Sequence, residues 1–255
     1  MTPRLLAVGD GAVTVEFGST LEPALVSQVA ALERAVRAAQ ACGDLSGVLE
    51  TVPTFRSLTV LYDPRITSRA ELDPPLLALL ASLALKAAQG PDPSAPAAAP
   101  RRWRLPVAYG GDFGADLDSV AAACGLTADE VVHLHAGTEF TAYLLGFMPG
   151  FAFMGQLPPA LQLPRRTEPR VRVPAGSVAT ANRLSVIYPW ESPGGWHLLG
   201  RCPVPLFDAS AAAPTLLAPG DLVRFEPVSA PRLAEIEAAL RSGDLRAQDF
   251  RDLHP

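Results

Sequence analysis

Apolar positions change period several times along the chain, and each change marks an element. Residues 5–8 and 12–17 alternate on either side of Gly9-Asp10-Gly11, which predicts a hairpin. Leu25, Val26, Val29, Leu32 and Val36 then repeat at helical spacing, with Gly43 as the stop. Two strands, 48–52 and 58–62, flank the bend Pro53-Thr54-Phe55, and Ser68-x-x-Glu71 forms a capping box ahead of a Leu-rich helix. The series predicts an α+β N-terminal domain of ferredoxin-like type over residues 1–89. Residues 90–102, GPDPSAPAAAPRR, carry no apolar period and read as a Pro/Ala-rich linker.

The remainder, 103–255, has a different rhythm. A strand over 103–108 is followed by two short helices, 116–124 ended by Gly125 and 128–135 opened by a Thr127-x-x-Glu130 capping box. Short β runs follow at 141–147, 171–173, 177–180, 185–188, 197–199 and 222–226, broken by Gly and Pro. This pattern predicts a closed or sandwich-like β domain, with a C-terminal helix over 230–240. Two segments within it, GFMPGFAFMGQLP (146–158) and ESPGGWHLLGR (191–201), read as neither ordinary strand nor helix. Glycine lets backbone approach a ligand closely and aromatic rings supply flat walls, so these segments read as the rim of a binding site.

Composition narrows the function classes. With 255 residues, 49% apolar and 18% charged, the chain is globular and long enough for a sizeable core. Its net charge of −5 argues against nucleic-acid binding. VAAACGLTADEVVHLH has the outline of a helix-turn-helix, but its second helix opens on Asp129 and Glu130 and carries no Lys or Arg, so it would repel phosphates. Neither a P-loop nor a dinucleotide fingerprint occurs. Cys42, Cys124 and Cys202 have no metal-ligand spacing and are expected as free thiols in a reducing compartment. MTPRLLAVGDG lacks the form of a signal peptide and the Leu-rich stretch 76–85 is too short to span a bilayer, so a cytoplasmic location is expected. No metal site is evident.

Candidate chemistry gathers around the two segments. His135, Glu139 and Tyr143 place a ring, a carboxylate and a phenol in one compact stretch, with His133 beside them. Arg165, Arg166, Arg170 and Arg172 lie between the segments, and Arg170 and Arg172 share a face if the strand is extended. Guanidinium groups hold carboxylate or phosphate bidentately, so this set suits a small anionic ligand. A second reading stands equal to it: His135 caps a helix, and the arginines form a solvated edge against Glu139, Glu168 and Glu191.

From YGGDFGADLDSVAAACGLTADEVVHLHAGTEF through YLLGFMPGFAFMGQLP, PRRTEPRVRVPAGSV and IYPWESPGGWHLLGRCPVPLFD, the chain closely resembles a known family. It is that of allophanate hydrolase subunit 1 and the B subunit of 5-oxoprolinase, which includes the sporulation kinase inhibitor KipI. The resemblance implies an α+β N-terminal domain and a cyclophilin-like β-barrel. It also implies action as one subunit of an ATP-dependent 5-oxoprolinase that opens 5-oxo-L-proline to L-glutamate. The expected partner is a larger subunit, resembling either the C subunit of 5-oxoprolinase or allophanate hydrolase subunit 2, with ATP shared with or supplied by it. Carried onto this sequence, the family motifs make His135 and Glu139 the catalytic candidates. The substrate-binding candidates are Tyr143, Phe147, Phe151, Arg165, Arg166, Arg170, Ser177, Glu191, Gly194, Gly195 and Trp196. The alternatives within the resemblance are a KipI-like inhibitor of a histidine kinase and a subunit of a urea carboxylase or allophanate hydrolase system. The chain departs from the family pattern at 179–185, where a common Gly-rich, Gln-containing stretch is replaced by ATANRLS, and at Ala136 and Gln156.

Overall fold

The N-terminal hairpin forms as its alternation demands: β1 (Arg4–Val8) pairs antiparallel with β2 (Ala12–Glu16). α1 (Pro23–Cys42) turns Val29, Leu32 and Val36 to one side and ends at Gly43. β3 (Val48–Pro53) and β4 (Ser57–Tyr62) complete an antiparallel sheet of order β1-β2-β4-β3. α2 (Arg69–Gln89) follows Ser68, whose backbone N–H donates to the Glu71 carboxylate at 2.8 Å. Val13, Val15, Leu58, Val60 and Tyr62 alternate onto the helix side of the sheet and meet Leu32, Val36, Leu72 and Leu76 there. The structure, a computed structural model, describes residues 2–20, 22–89 and 100–252. Its two compact units are Met1–Ala98 and Ala99–Pro255. Most of the expected linker, 90–99, lies outside the described residues, and the next strand already begins at Arg102.

The second unit is built on a ring of strands. In chain order they are β5 (Arg102–Tyr109), β6 (Phe140–Leu145), β7 (Ala152–Gly155), β8 (Arg170–Val173), β9 (Ser177–Ala181), β10 (Leu184–Ile187), β11 (Ser192–Gly194), β12 (His197–Arg201), β13 (Leu222–Pro227) and β14 (Arg251–Asp252). Seven of them run β12-β9-β10-β7-β6-β13-β5, and β5 pairs back to β12, closing a barrel. β14 adds to β5, and β8 and β11 form a separate two-stranded ribbon. Trp103, Leu105 and Val107 of β5 alternate into the barrel core with Phe140, Met154, Val178, Leu199, Val223 and Phe225. α3 (Leu117–Cys124) and α4 (Ala128–Ala136), the outline of a helix-turn-helix, add Val120, Ala121 and Val131 to that core. The Thr127–Glu130 capping box is formed. α5 (Ala230–Ser242) contributes Leu233 and Ile236 as buried positions.

One expectation is corrected. The segment 146–158 contains a true barrel strand, β7. Its alternation is hidden because both faces are covered: Met154 joins the barrel core, while its neighbour Phe153 packs against a second apolar cluster. The strands expected at 177–180 and 185–188 run on into the divergent stretch 179–185, which is a hairpin with Ala181 opposite Leu184 across a two-residue turn. Asn182 takes φ 54 there, a left-handed conformation that asparagine tolerates.

A turn between β5 and α3 brings the helix start onto β12. Gly110 N–H donates to the Leu199 carbonyl and Asp116 N–H to the Leu198 carbonyl, both at 3.0 Å. Gly114 lies so close to β12 that a Cβ there would overlap the Leu199 carbonyl, and backbone on both sides leaves nothing able to move aside. Gly114→Ala is therefore expected to destabilise the protein by about 3 kcal/mol, the upper part of the overpacking range. Urea denaturation of the variant checks this; an unchanged midpoint would mean that the turn does not rest on β12.

Candidate functional site

Asp116 is the first residue of the site, and it was legible in the sequence only as a helix start. It occupies the N-cap of α3 but makes no capping bond with its side chain. Its carboxylate instead accepts from Arg166 Nη1 at 3.0 Å, Arg170 Nη2 at 2.6 Å and the Leu198 backbone N–H at 2.7 Å. The side chain is only 5% exposed, while Arg166 and Arg170 remain about a third and a quarter open. Burial alone would raise its pKa. The Arg170 and Leu198 hydrogen bonds and the two guanidinium charges outweigh that and hold it below the usual carboxylate range. One buried anion thus fixes two arginines from a loop and a ribbon against the barrel wall.

Around this node the segments 146–158 and 191–201 meet. Ala179, Val186 and Leu198 stand next in sequence to the barrel-core residues Val178, Ile187 and Leu199, so they project from the opposite face of the wall. On that outer face they join Phe151, Val173, Ala181, Tyr188 and Trp196 in a second apolar cluster, roofed by the β8–β11 ribbon. Phe151 packs edge-on to Tyr188 at 5.1 Å, and the Arg165 guanidinium lies 5.4 Å from the Trp196 ring centroid. Phe147 packs edge-on to Phe151 yet is 68% exposed, and it holds φ 70, a conformation that costs a side chain of this size roughly 1–2 kcal/mol. Trp190 is half exposed against Phe207. Beside the ribbon an open cavity of about 360 Å³ runs along Ala123, Pro164, Arg165, Arg166, Thr167 and His197. His197 Nε2 lies 2.9 Å from the Pro164 carbonyl and donates to it.

The structure brings together Phe147, Phe151, Arg165, Arg166, Arg170, Gly194, Gly195 and Trp196. Arg166 N–H donates to the Gly195 carbonyl at 2.8 Å, tying the arginine loop to the glycine pair. Ser177 is buried on β9, where its carbonyl accepts from Tyr188 N–H at 2.9 Å. Glu191 pairs with Arg172 at 2.6 Å on the open side of the ribbon. Arg170 and Arg172 therefore differ in surroundings despite their spacing: the first is drawn in by Asp116, the second is largely exposed.

Three predicted residues lie elsewhere. Glu139 is held by Arg102 and, at 3.5 Å, by Arg224, in a cavity of about 270 Å³ that Arg104 and Asp252 also line. Tyr143 is buried with its ring over Gly155, which has no Cβ to obstruct it. His135 is wholly enclosed by the barrel: it stacks on Phe225 at 4.8 Å and packs against Phe140 at 5.0 Å. Its Nδ1 lies 2.8 Å from the Tyr109 hydroxyl and its Nε2 2.9 Å from Ser185 Oγ, so both nitrogens of the neutral ring are occupied. Of the two histidines, His133 is the one that lines an open cavity, about 480 Å³ beside Arg104 and Arg224. Sequence reasoning passed over Asp116, Tyr188, Ser192 and His197 as site residues. Among the described residues no cluster of three metal-ligating side chains occurs, and no helix is long and apolar enough to cross a membrane.

Burial drives the His135 pKa down to about 3. The folded state then binds fewer protons than the unfolded state between pH 3 and the ordinary histidine value near 6.5. Stability from this residue is complete above that window and falls as pH drops through it, by about 1.4 kcal/mol per pH unit once the unfolded chain is protonated. Denaturation curves from pH 7 to 4.5 should show this slope, and His135→Gln should flatten it while lowering stability at pH 7. An equal slope in both proteins would place the proton uptake elsewhere.

The chain's likeness to known proteins agrees with this architecture. The family model of the carboxyltransferase domain, subdomain C and D, matches residues 3–217. The chain is 40% identical over 228 residues to the B subunit of 5-oxoprolinase from Escherichia coli O157:H7, covering 88% of this chain and 95% of that one. Among solved structures, TTHA0988 matches with a TM-score of 0.71 and 38% identity over 86% of this chain but 40% of its own, so this chain spans less than half of that neighbour. The urea amidolyase of K. lactis shares the fold, with a TM-score of 0.74 at 18% identity over 98% of this chain and 16% of its own. With most of its length matched by the family model, and a close relative covered almost end to end, the chain belongs to the carboxyltransferase domain, subdomain C and D, family.

Proposed function

We propose that this chain is the B-type subunit of an ATP-dependent 5-oxoprolinase, opening the lactam of 5-oxo-L-proline to L-glutamate together with a larger subunit. The observation that carries the reading is the pair Arg166 and Arg170, fixed by Asp116 at the edge of an aromatic cluster, in a chain with 40% identity to a protein of that name. A lactam is resonance-stabilised, and phosphoryl transfer from ATP to its oxygen turns that oxygen into a leaving group. The chain's own residues bind and orient in this reading. Arg166 and Arg170 hold the substrate carboxylate or the transferred phosphoryl group, Trp196 and Phe151 wall the ring, and backbone N–H groups of Gly194 and Gly195 face developing negative charge. Glu139 moves a proton only if released from Arg102 and Arg224, and His135 acts by holding Ser185 and Tyr109 in place. The N-terminal sheet order β2-β4-β3 with β1 beside β2 supports reading that unit, residues 1–89, as a ferredoxin-like fold whose outer strand comes from the N-terminus. The closed barrel supports a cyclophilin-like reading of 103–255.

ATP and catalysis are shared with the partner in this proposal. Its support is that TTHA0988 is more than twice as long as the part this chain matches, and that the large apolar side chains of Phe147 and Trp190 stand exposed. The site is expected to work in the cytoplasm. Purified alone, the chain should form almost no glutamate from 5-oxo-L-proline and ATP, whereas the co-purified pair should turn it over. In the pair, Arg166→Ala with Arg170→Ala should lower kcat/KM by about 100-fold or more, from the loss of charge-assisted hydrogen bonds worth about 1.5–3 kcal/mol each. Glutamate release measured with a coupled assay checks both; rapid turnover by the isolated chain would overturn the division of labour.

A further inference from the structure

The β8–β11 ribbon hides polar atoms that the fold does not use. Arg170 commits Nη2 to Asp116, but its Nη1 is shut off from solvent and finds no hydrogen-bond partner among the described residues. Ser192 Oγ, on the other strand of the ribbon, is in the same condition. Both face the barrel wall. Ser192 is opposite Val173, which is buried in the outer cluster, and Arg170 is opposite Gly194, whose absent Cβ would meet the Tyr188 hydroxyl. Tyr188 lies within electrostatic reach of Arg165 and Arg170, and burial pushes its phenol up to about 12, so it remains a neutral O–H. Arg170 Nη1, Ser192 Oγ and the Tyr188 hydroxyl thus lie on the covered side of two short strands that, among the described residues, pair only with each other.

We propose that this ribbon closes over a carboxylate, which accepts from Arg170 Nη1 on one oxygen and from Ser192 Oγ on the other. The inference rests on the substrate-binding reading above and assigns that substrate's carboxylate to particular atoms. Charge sets the ligand class: Asp116 cancels one of the two arginines it binds and Arg165 stands over Trp196 nearby, so the cluster keeps net positive charge for an anion. Chemistry agrees: an unpaired buried donor is costly, and a carboxylate has two oxygens with which to accept from both donors beneath the ribbon. Because both atoms are enclosed, the ligand enters only when the ribbon lifts. The ribbon is held down by Val173 in the apolar cluster and by the ion pair of Arg170 to Asp116. No strand of the barrel pairs with it.

Calorimetric titration of the full chain with 5-oxo-L-proline, 2-pyrrolidinone, acetate and L-glutamate tests this, with thermal melts of the ligand-free protein alongside. Binding of 5-oxo-L-proline at least tenfold tighter than that of 2-pyrrolidinone, which lacks the carboxylate, is expected. Ser192→Ala should cut that affinity about tenfold, yet leave the ligand-free melting temperature unchanged or higher, because it removes a buried hydroxyl with nothing to bond. Arg172→Ala, on the open side of the ribbon, should change neither. Equal binding of the two lactams, affinity indifferent to Ser192→Ala, or no binding of any of the four probes would overturn the pocket. A lower ligand-free melting temperature in Ser192→Ala would do so too, by showing that the hydroxyl already has a partner. Acetate or glutamate binding that depends on Ser192, without preference for the lactam acid, would keep the pocket and remove 5-oxo-L-proline as its substrate.

Discussion

A single buried carboxylate decides how the outer face of the barrel is organised. Asp116 begins α3, reaches the backbone of β12 and draws in guanidinium groups from the 165–170 segment. Each partner alone would be a poor place for a charge: the carboxylate loses water, and the guanidinium groups, about a third and a quarter exposed, lose some of their own. Together they satisfy one another, at a desolvation cost that only good geometry offsets. That geometry depends on Gly114, which lets the preceding turn lie against β12 without a side chain between them. Removing either end of the arrangement would therefore loosen the arginines as well as a helix start.

The barrel wall separates two kinds of polar interior. Inside, His135 uses both ring nitrogens on Tyr109 and Ser185 and is sealed among Phe140 and Phe225. Every group in that set has a partner, so the set acts as a bolt between α4, β5 and β10 and has no spare valence for a ligand. Outside, the ribbon holds donors with capacity left over. The same residue types thus carry opposite roles, set by whether their hydrogen bonds are complete. The family motif that marks His135 as a chemical group is equally well explained by a ring needed to fill and tie the barrel.

How much of this was legible in the chain depends on the range of the interaction. The Thr127–Glu130 capping box, the stops at Gly43 and Gly125 and the apolar period of α1 are local, and each appears where the sequence marks it. β7 escaped because Phe153 and Met154 both face apolar surroundings, which erases the alternation that identifies a half-buried strand. Asp116 escaped because its partners lie 50, 54 and 82 residues further on, a separation that no window of sequence can cross. Aromatic residues and glycines of segments 146–158 and 191–201 do gather on one surface. What they left unsaid was that Ala179, Ala181 and Leu198 of the wall supply its floor.

The departure at 179–185 acquires a structural meaning from that floor. Ala179 and Ala181 point into the outer cluster, beneath the rings of the ribbon side, while Thr180 and Ser185 face the other way as a cross-strand pair. Exchanging glycine for alanine at such positions adds a methyl group of packing to the floor and stiffens the strand, with no need for the backbone to touch a ligand. Arg183 stands at the far turn of the hairpin, close enough to Tyr143 to act on its phenol electrostatically. The altered residues therefore change the support under the arginine and ribbon surface more than the surface itself. Ligand selectivity in this chain is better sought in Ser192, Tyr188 and Arg170, whose polar atoms face what the ribbon covers, than in the hairpin whose sequence departs from the family pattern.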